Sequence, residues 1–345
     1  MKEDLAAPSQ VYEDIQDRLD RHRAFWARQP AEKALVAEPL QDSVFPLENL
    51  ELDLSEGEIK AGDVHPETWM PAPPPVGPMQ VGGDLFYAEW AFPALPWTEA
   101  IAGCPVRVMK ASGTTWADLV IDLDAPLTSL HPKIRRDWFD KLLACTRALV
   151  DAGQGRYWVS TTLMRGPLDM LEAMIGAQRL FLAFYDEPDE VHRLLDFCTN
   201  AWIAVAQAQL ACIPPAYGGY CNRYKVWAPG ASVVTQADLS GLLSPSLYGD
   251  FLLPCDARIA EAFDYVTMHS HSTGQTQLEL RLDLDNLDCI EVALDPVGPT
   301  LEEMLPTFEH ILSRKSLVLM GTDAEETAIA IERLPAAGFC IIPRH

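Results

Sequence analysis

From about residue 132 onward the hydrophobic positions of this chain switch between two periods. Recurrence at helical spacing predicts helices over about 134–152, 167–185, 188–212, 246–263, 275–283, 300–313 and 324–335. Prolines at 167 and 188 suit the first turns of two of them. Between the helices lie short apolar runs that predict strands: YWVSTTLM (157–164), VVTQAD (233–238), YVTMHS (265–270), CIEVALD (289–295), SLVLMG (316–321) and GFCIIP (338–343). Apolar strands alternating with helices imply a parallel sheet covered by helices, an α/β class. Upstream the pattern is less regular. Val11, Ile15, Leu19 and the Phe25-Trp26 pair predict a helical segment within 3–33. Residues 40–80 are acidic and then proline-rich, which reads as an irregular excursion. Residues 84–122 predict strands or a hairpin. No short-period repeat is present. The expected architecture is one (β/α)8 TIM barrel over 81–345, with an N-terminal helical and irregular extension over 1–80 packed on it.

Several strands finish in polar clusters: Gln236-Ala237-Asp238, His269-Ser270-His271, Asp295, Gly321-Thr322-Asp323 and Arg344-His345. In a parallel barrel the C-terminal strand ends carry the active site. His269 and His271 are two apart, so on a strand both imidazoles face one place. Such a pair suits a transition metal or acid–base work; the alternative is one hydrogen-bonded loop His and one surface His. Asp323, directly before AEETAIAIERL, reads as a helix N-cap. Asp238 does not, because Ser244 before Pro245 takes that role for the next helix.

Charge and composition narrow the function classes. The 345 residues carry a formal net charge of −24, which disfavours nucleic acid and anionic membrane as partners. Hydrophobic content of 48% marks a globular chain. No run reaches the roughly 18 apolar residues of a membrane span, and MKEDLAAPSQ has no signal-peptide core. Eight cysteines are scattered without a C-x-x-C, which reads as reduced core thiols and a cytoplasmic protein. There is no Walker A loop, no strand-linked G-x-G-x-x-G, no H-E-x-x-H and no G-x-S-x-G.

The order of motifs over roughly 95–345 resembles the uroporphyrinogen decarboxylase superfamily. RGPLDMLEAMIGAQRLFLAFYDEPDEVHRLLDF (165–197) is similar to its Gly-Pro helix and D-x-P-E-x-V-x-x-L-L passage. ASVVTQADLSGLLSPSLYGDFLLPCDARIAEAF (231–263) resembles its Asp-then-Ser-Pro segment, and MHSHSTG sits where members carry a strand-ending His motif. LPWTEAIAGCPV (95–106) resembles a segment of decarboxylase-like proteins of unassigned function. The resemblance implies a (β/α)8 barrel and either decarboxylase or zinc-dependent methyltransferase chemistry. The decarboxylases grip substrate carboxylates with N-terminal arginines. HPETWMPAPPPVGPM has none, which argues against uroporphyrinogen as substrate.

The methyltransferases typically have His-x-Cys at the sixth strand end and a Cys after the last strand. Here the first motif is His-Ser-His, and aligning GFCIIPRH with the family's last strand puts the remaining ligand position on His345. The family continues beyond that point with a helix, which leaves the third ligand open. Cys340 falls mid-strand, as a buried inert thiol would. The expected function is transfer of a methyl group between a small methylated substrate and a thiol or a corrinoid carried by a partner protein. Zinc on His269, His271 and His345 would serve as Lewis acid. Asp238 is expected to orient substrate or support the site, and Glu99 is a candidate acid–base group, or else an exposed helix-start carboxylate. Trp97, Tyr224 and Gln236 are candidate substrate-binding residues, with core packing the alternative for Trp97 and Tyr224. Two other readings stand beside this one. One is a metal-free lyase on another carboxylate; the other is a non-catalytic barrel that binds a small molecule.

Overall fold

The computed structural model describes residues 8–37, 57–68, 83–92, 95–109, 114–122 and 125–344. At its centre is a six-stranded sheet in the order Leu35–Val36, Phe339–Pro343, Ser316–Thr322, Cys289–Ala293, Tyr265–His271, Ser232–Thr235. Every pairing in it is parallel. The strands are apolar on both sides because both sides are covered. Val266, Met268, Ile290, Val292, Leu317, Leu319 and Ile341 pack with the helical layer. Val234, Cys289, Val318, Cys340 and Ile342 pack with Phe25, Trp26, Tyr224 and Val226 on the other face. Hence the near-continuous hydrophobic runs, without the alternation of a half-exposed sheet.

Smaller sheets complete the β-structure: Glu58–Ile59 with the hairpin Val106–Met109/Thr114–Ala117, Ala88–Glu89 beside Trp158–Val159, and the pair Tyr220–Cys221/Trp227–Ala228. Hydrogen-bonded pairing among the described strands does not run as one closed ring. The sheet therefore shows a parallel α/β fold, and the expected barrel closure goes beyond it. No helix among the described residues is long and apolar enough to cross a membrane.

Most downstream elements lie where the periodicity places them, with local differences that have physical causes. The helix expected over 167–185 is two helices, Pro167–Ile175 and Ala177–Asp186, broken at Gly176 with φ 85°. The helix expected over 246–263 widens to a π turn at Tyr248–Leu252, just before Pro254 removes a backbone N–H. The strand expected over 157–164 pairs only at Trp158–Val159. Within 84–122, Trp97–Ala102 is a helix and not a strand; Gly103, at φ 117°, ends it. Most of the 40–80 excursion lies outside the described residues. Leu35–Val36, upstream of it, joins the central sheet.

The helix Pro8–Trp26 is locked to this sheet by polar contacts. Trp26 Nε1 donates to the Trp227 carbonyl at 2.8 Å, and Arg21 donates to both Asp84 oxygens. His22, fully buried, accepts from the Trp227 N–H at Nδ1 (3.0 Å), so its proton sits on Nε2 and donates to the Asp84 carbonyl (3.0 Å). Burial lowers its pKa to about 4. A depressed histidine stabilises the fold above its unfolded value of about 6.5, and that stability is lost as pH falls toward the folded value. We expect the wild type to lose roughly 2–3 kcal/mol between pH 7 and 4.5 relative to His22→Gln, by linkage. Urea denaturation of both proteins at the two pH values checks this; parallel losses would contradict it.

Candidate metal centre

The strands Tyr265–His271 and Cys289–Ala293 set the centre by their register. His269 stands opposite Glu291, and both side chains lie on the inner face. The fully buried Glu291 hydrogen-bonds His269 Nδ1. Tyr224, from the segment crossing that face, donates to the same carboxylate at 2.7 Å and lies 3.3 Å from His269 Nδ1. His271 emerges at the strand end, where its Nδ1 meets Asp295 at 2.7 Å. Ser272 and Thr273 hold the other Asp295 oxygen. Each imidazole thus offers Nδ1 to a carboxylate and keeps Nε2 for something else.

What both Nε2 atoms face is Asp238. Its Oδ1 lies 3.7 Å from His269 Nε2 and 3.8 Å from His271 Nε2, and the two nitrogens are 3.3 Å apart. Asp238, His269 and His271 form a group able to hold a metal ion. Donors at about 2.0–2.1 Å from a tetrahedral zinc are roughly 3.3–3.4 Å from one another, so this set needs only small adjustments to fit one. Two imidazole lone pairs cannot face each other without a proton or a cation between them. Burial pulls the His269 pKa down, but the charge and hydrogen bond of Glu291 outweigh it and hold it above its ordinary value. For Asp295 burial acts upward, and bonds from His271 and Thr273 outweigh it, leaving the carboxyl below its usual range.

A second layer fixes Asp238. Its backbone N–H and that of Leu239 donate to the two oxygens of Asp169, at 3.0 and 3.1 Å. Gln236 Nε2 donates to Asp238 Oδ2 at 3.2 Å. Asp169 is fully buried and its carboxyl is pushed up to about 7 by burial, against the pull of Arg165. Arg165 also faces Glu99 at 3.2 Å and Glu172 at 3.7 Å. Gly166 carries this segment against the strand end: its N–H donates to the Gln236 carbonyl, and a Cβ there would sit 2.1 Å from that oxygen. Beside the donors is a small cavity of about 20 Å³, room for about one water, lined in part by Ser240, Gly241, Gly274 and Arg281. A larger cavity of about 590 Å³ lies at the opposite edge of the sheet, against Phe25, Leu35 and Gly338. Its lining has no imidazole or thiol, so the chemistry points to the smaller one.

The expected residues fall into three groups. His269, His271, Asp238, Gln236 and Tyr224 come together, with Asp238 taking the third donor position. Glu99 is fully buried and held by Thr98 and Arg165; Trp97 is buried, donates to the Phe92 carbonyl and packs edge-on against Trp138. Neither lines the small cavity. His345 lies outside the described residues. Glu291 was not foreseen, although a lone carboxylate inside the apolar run CIEVALD is a visible signal. Arg165, Asp169, Arg223 and Arg281 were not foreseen either. Asp323 and Ser244 cap helices as expected, and all eight cysteines are free.

No family model matches the chain, and no curated protein matches it in sequence. Among solved structures it is similar to a methyltransferase from Methanosarcina mazei, at 13% identity and TM-score 0.58, over 94% of this chain and 92% of that one. The two share a fold.

Because the fully buried Asp169 satisfies two backbone N–H groups and faces Arg165, its removal takes the side-chain partner from both N–H groups and leaves a void in the core. We expect Asp169→Ala to cost about 3 kcal/mol in urea unfolding. A loss below about 0.5 kcal/mol would show that the 238–239 turn holds itself.

Proposed function

We propose that this chain is a zinc-dependent methyltransferase of the uroporphyrinogen decarboxylase superfamily, with its strands closing into a (β/α)8 barrel. Residues 1–80 would be an extension packed on that barrel. The carrying observation is the triad Asp238, His269 and His271, with each imidazole oriented by its own carboxylate. The fold shared with a methyltransferase supports the same reading. The eight free cysteines are in keeping with a cytoplasmic protein.

Zinc held by these three residues would supply a Lewis acid with an open fourth position. The chain's own groups would do the rest. Glu291 and Asp295 keep the two Nε2 atoms free and aimed. Tyr224 fixes Glu291, and Asp169 with Gln236 fixes Asp238. A small methylated substrate would lie at the exposed side of His271 and Asp238, and a thiol or a partner's corrinoid would take the methyl group. In that transfer the methyl carbon leaves with no bonding electrons; the leaving group keeps the pair.

Two measurements test this. Protein purified without chelator and dialysed against zinc should hold one ion per chain; His269→Ala and Asp238→Ala should hold none. Asp295→Asn should bind zinc 10–100-fold more weakly, as loss of a carboxylate behind a ligating His does. Uptake of zinc by His269→Ala equal to wild type would defeat the site. Demethylation of methylcobalamin by a thiol, followed by its visible spectrum, should be faster with wild type than with His269→Ala. Equal rates across several thiols would defeat the activity.

A further inference from the structure

The turn Asn222-Arg223-Tyr224-Lys225 carries two cations beside the centre. Asn222 shapes it: its side-chain oxygen accepts from the N–H groups of Tyr224 (3.0 Å) and Val226 (3.3 Å), and its carbonyl accepts from Lys225. Lys225, at φ 64°, is buried, with its ammonium over the Tyr87 ring at 5.4 Å. Arg223 differs. It is only partly buried, its guanidinium lies 4.9 Å over the Tyr224 ring, and one terminal nitrogen donates to Tyr224 Oη at 3.0 Å. That same hydroxyl donates to Glu291, the carboxylate behind His269. Arg223 and Glu291 therefore share one oxygen, yet no carboxylate among the described residues lies within ion-pair range of Arg223. Its Nε is buried without a partner, and so is Glu291 Oε1.

A guanidinium left unpaired in a chain of net charge −24 is notable, because carboxylates are plentiful. On the other side of the histidines stands Arg281, buried in the cavity wall. It is held by Ser270 (3.1 Å), Ser240 (2.7 Å) and Tyr248, again with no carboxylate in ion-pair range among the described residues. Tyr248 also bonds Asp256, so Arg281 has a carboxylate one hydroxyl away, whereas Arg223 reaches through its hydroxyl only the Glu291 that His269 already shares. A partly exposed guanidinium with no carboxylate in ion-pair range favours an anion beside it.

We infer that Arg223 anchors an anionic group of the substrate, of carboxylate type, beside the Asp238–His269–His271 centre. This rests on the reading that substrate lies at that centre. The open edge of the guanidinium would take the two anion oxygens side by side. The tyrosine ring beneath holds the guanidinium flat, and the hydroxyl bond fixes its rotation.

The test compares acetate with its neutral isostere acetamide, by NMR titration of wild type, Arg223→Gln and Arg223→Lys, each zinc-loaded and metal-free. Zinc content and melting temperature are measured on the same samples. Wild type should prefer acetate, and Arg223→Gln should lower that preference about tenfold at unchanged fold, the size of one charge-assisted hydrogen bond. Arg223→Lys should keep part of it, since charge remains and the paired geometry does not. A preference in Arg223→Gln within twofold of wild type, with or without zinc, overturns the inference and leaves the metal centre standing. An Arg223-dependent preference in protein that takes up no zinc supports the inference and removes the metal reading instead.

Discussion

The centre depends on one constraint, the parallel register that sets His269 opposite Glu291. A buried carboxylate needs a partner, and a buried imidazole needs a fixed tautomer. Each supplies what the other lacks, and the consequence is an Nε2 that points at Asp238 and His271. A one-residue slip between these strands would turn Glu291 to the helical side and leave His269 with no orienting group. The apolar residues on both faces hold the register: Ile290 and Val292 pack against helices, Cys289 against the inner cluster.

Support extends outward from that pair in two directions. Tyr224 and Arg223 extend it on the inner face. Asp169 and Arg165 extend it at the strand end, through the turn that carries Asp238. Both chains of contacts use charged groups that are largely or wholly buried. Such groups contribute little to net stability when paired, and cost several kcal/mol when one partner is removed. Their presence around three potential ligands is better explained by positioning than by stability. The Glu99 carboxylate belongs to this outer layer through its pairing with Arg165, which accounts for its burial.

Much of this was legible in the chain. The alternation of helices and apolar strands after residue 132 gave the parallel sheet, because period and burial are local properties. The i, i+2 histidines gave a shared direction for two imidazoles. Asp238 stood out because Ser244 already served as the helix cap. Other features depended on register and crossing segments, which no local pattern encodes. Glu291 sits in an apolar run whose partner strand lies 22 positions away. Arg223 and Tyr224 reach the inner face through a hairpin that reads as loop. The helix Trp97–Ala102 lies within a stretch whose pattern suggests strands or a hairpin, because six residues are too few to show a helical period. Closure of the sheet into a barrel also lay beyond what pairing of the described strands displays.

The central claim is that the ion's protein ligands are two imidazoles and a carboxylate, without a thiolate. X-ray absorption at the zinc edge of loaded protein tests it directly. The account predicts nitrogen and oxygen scatterers at about 2.0–2.1 Å with the outer-shell pattern of two imidazoles, and no sulfur. A sulfur shell near 2.3 Å would place a cysteine at the metal and contradict it.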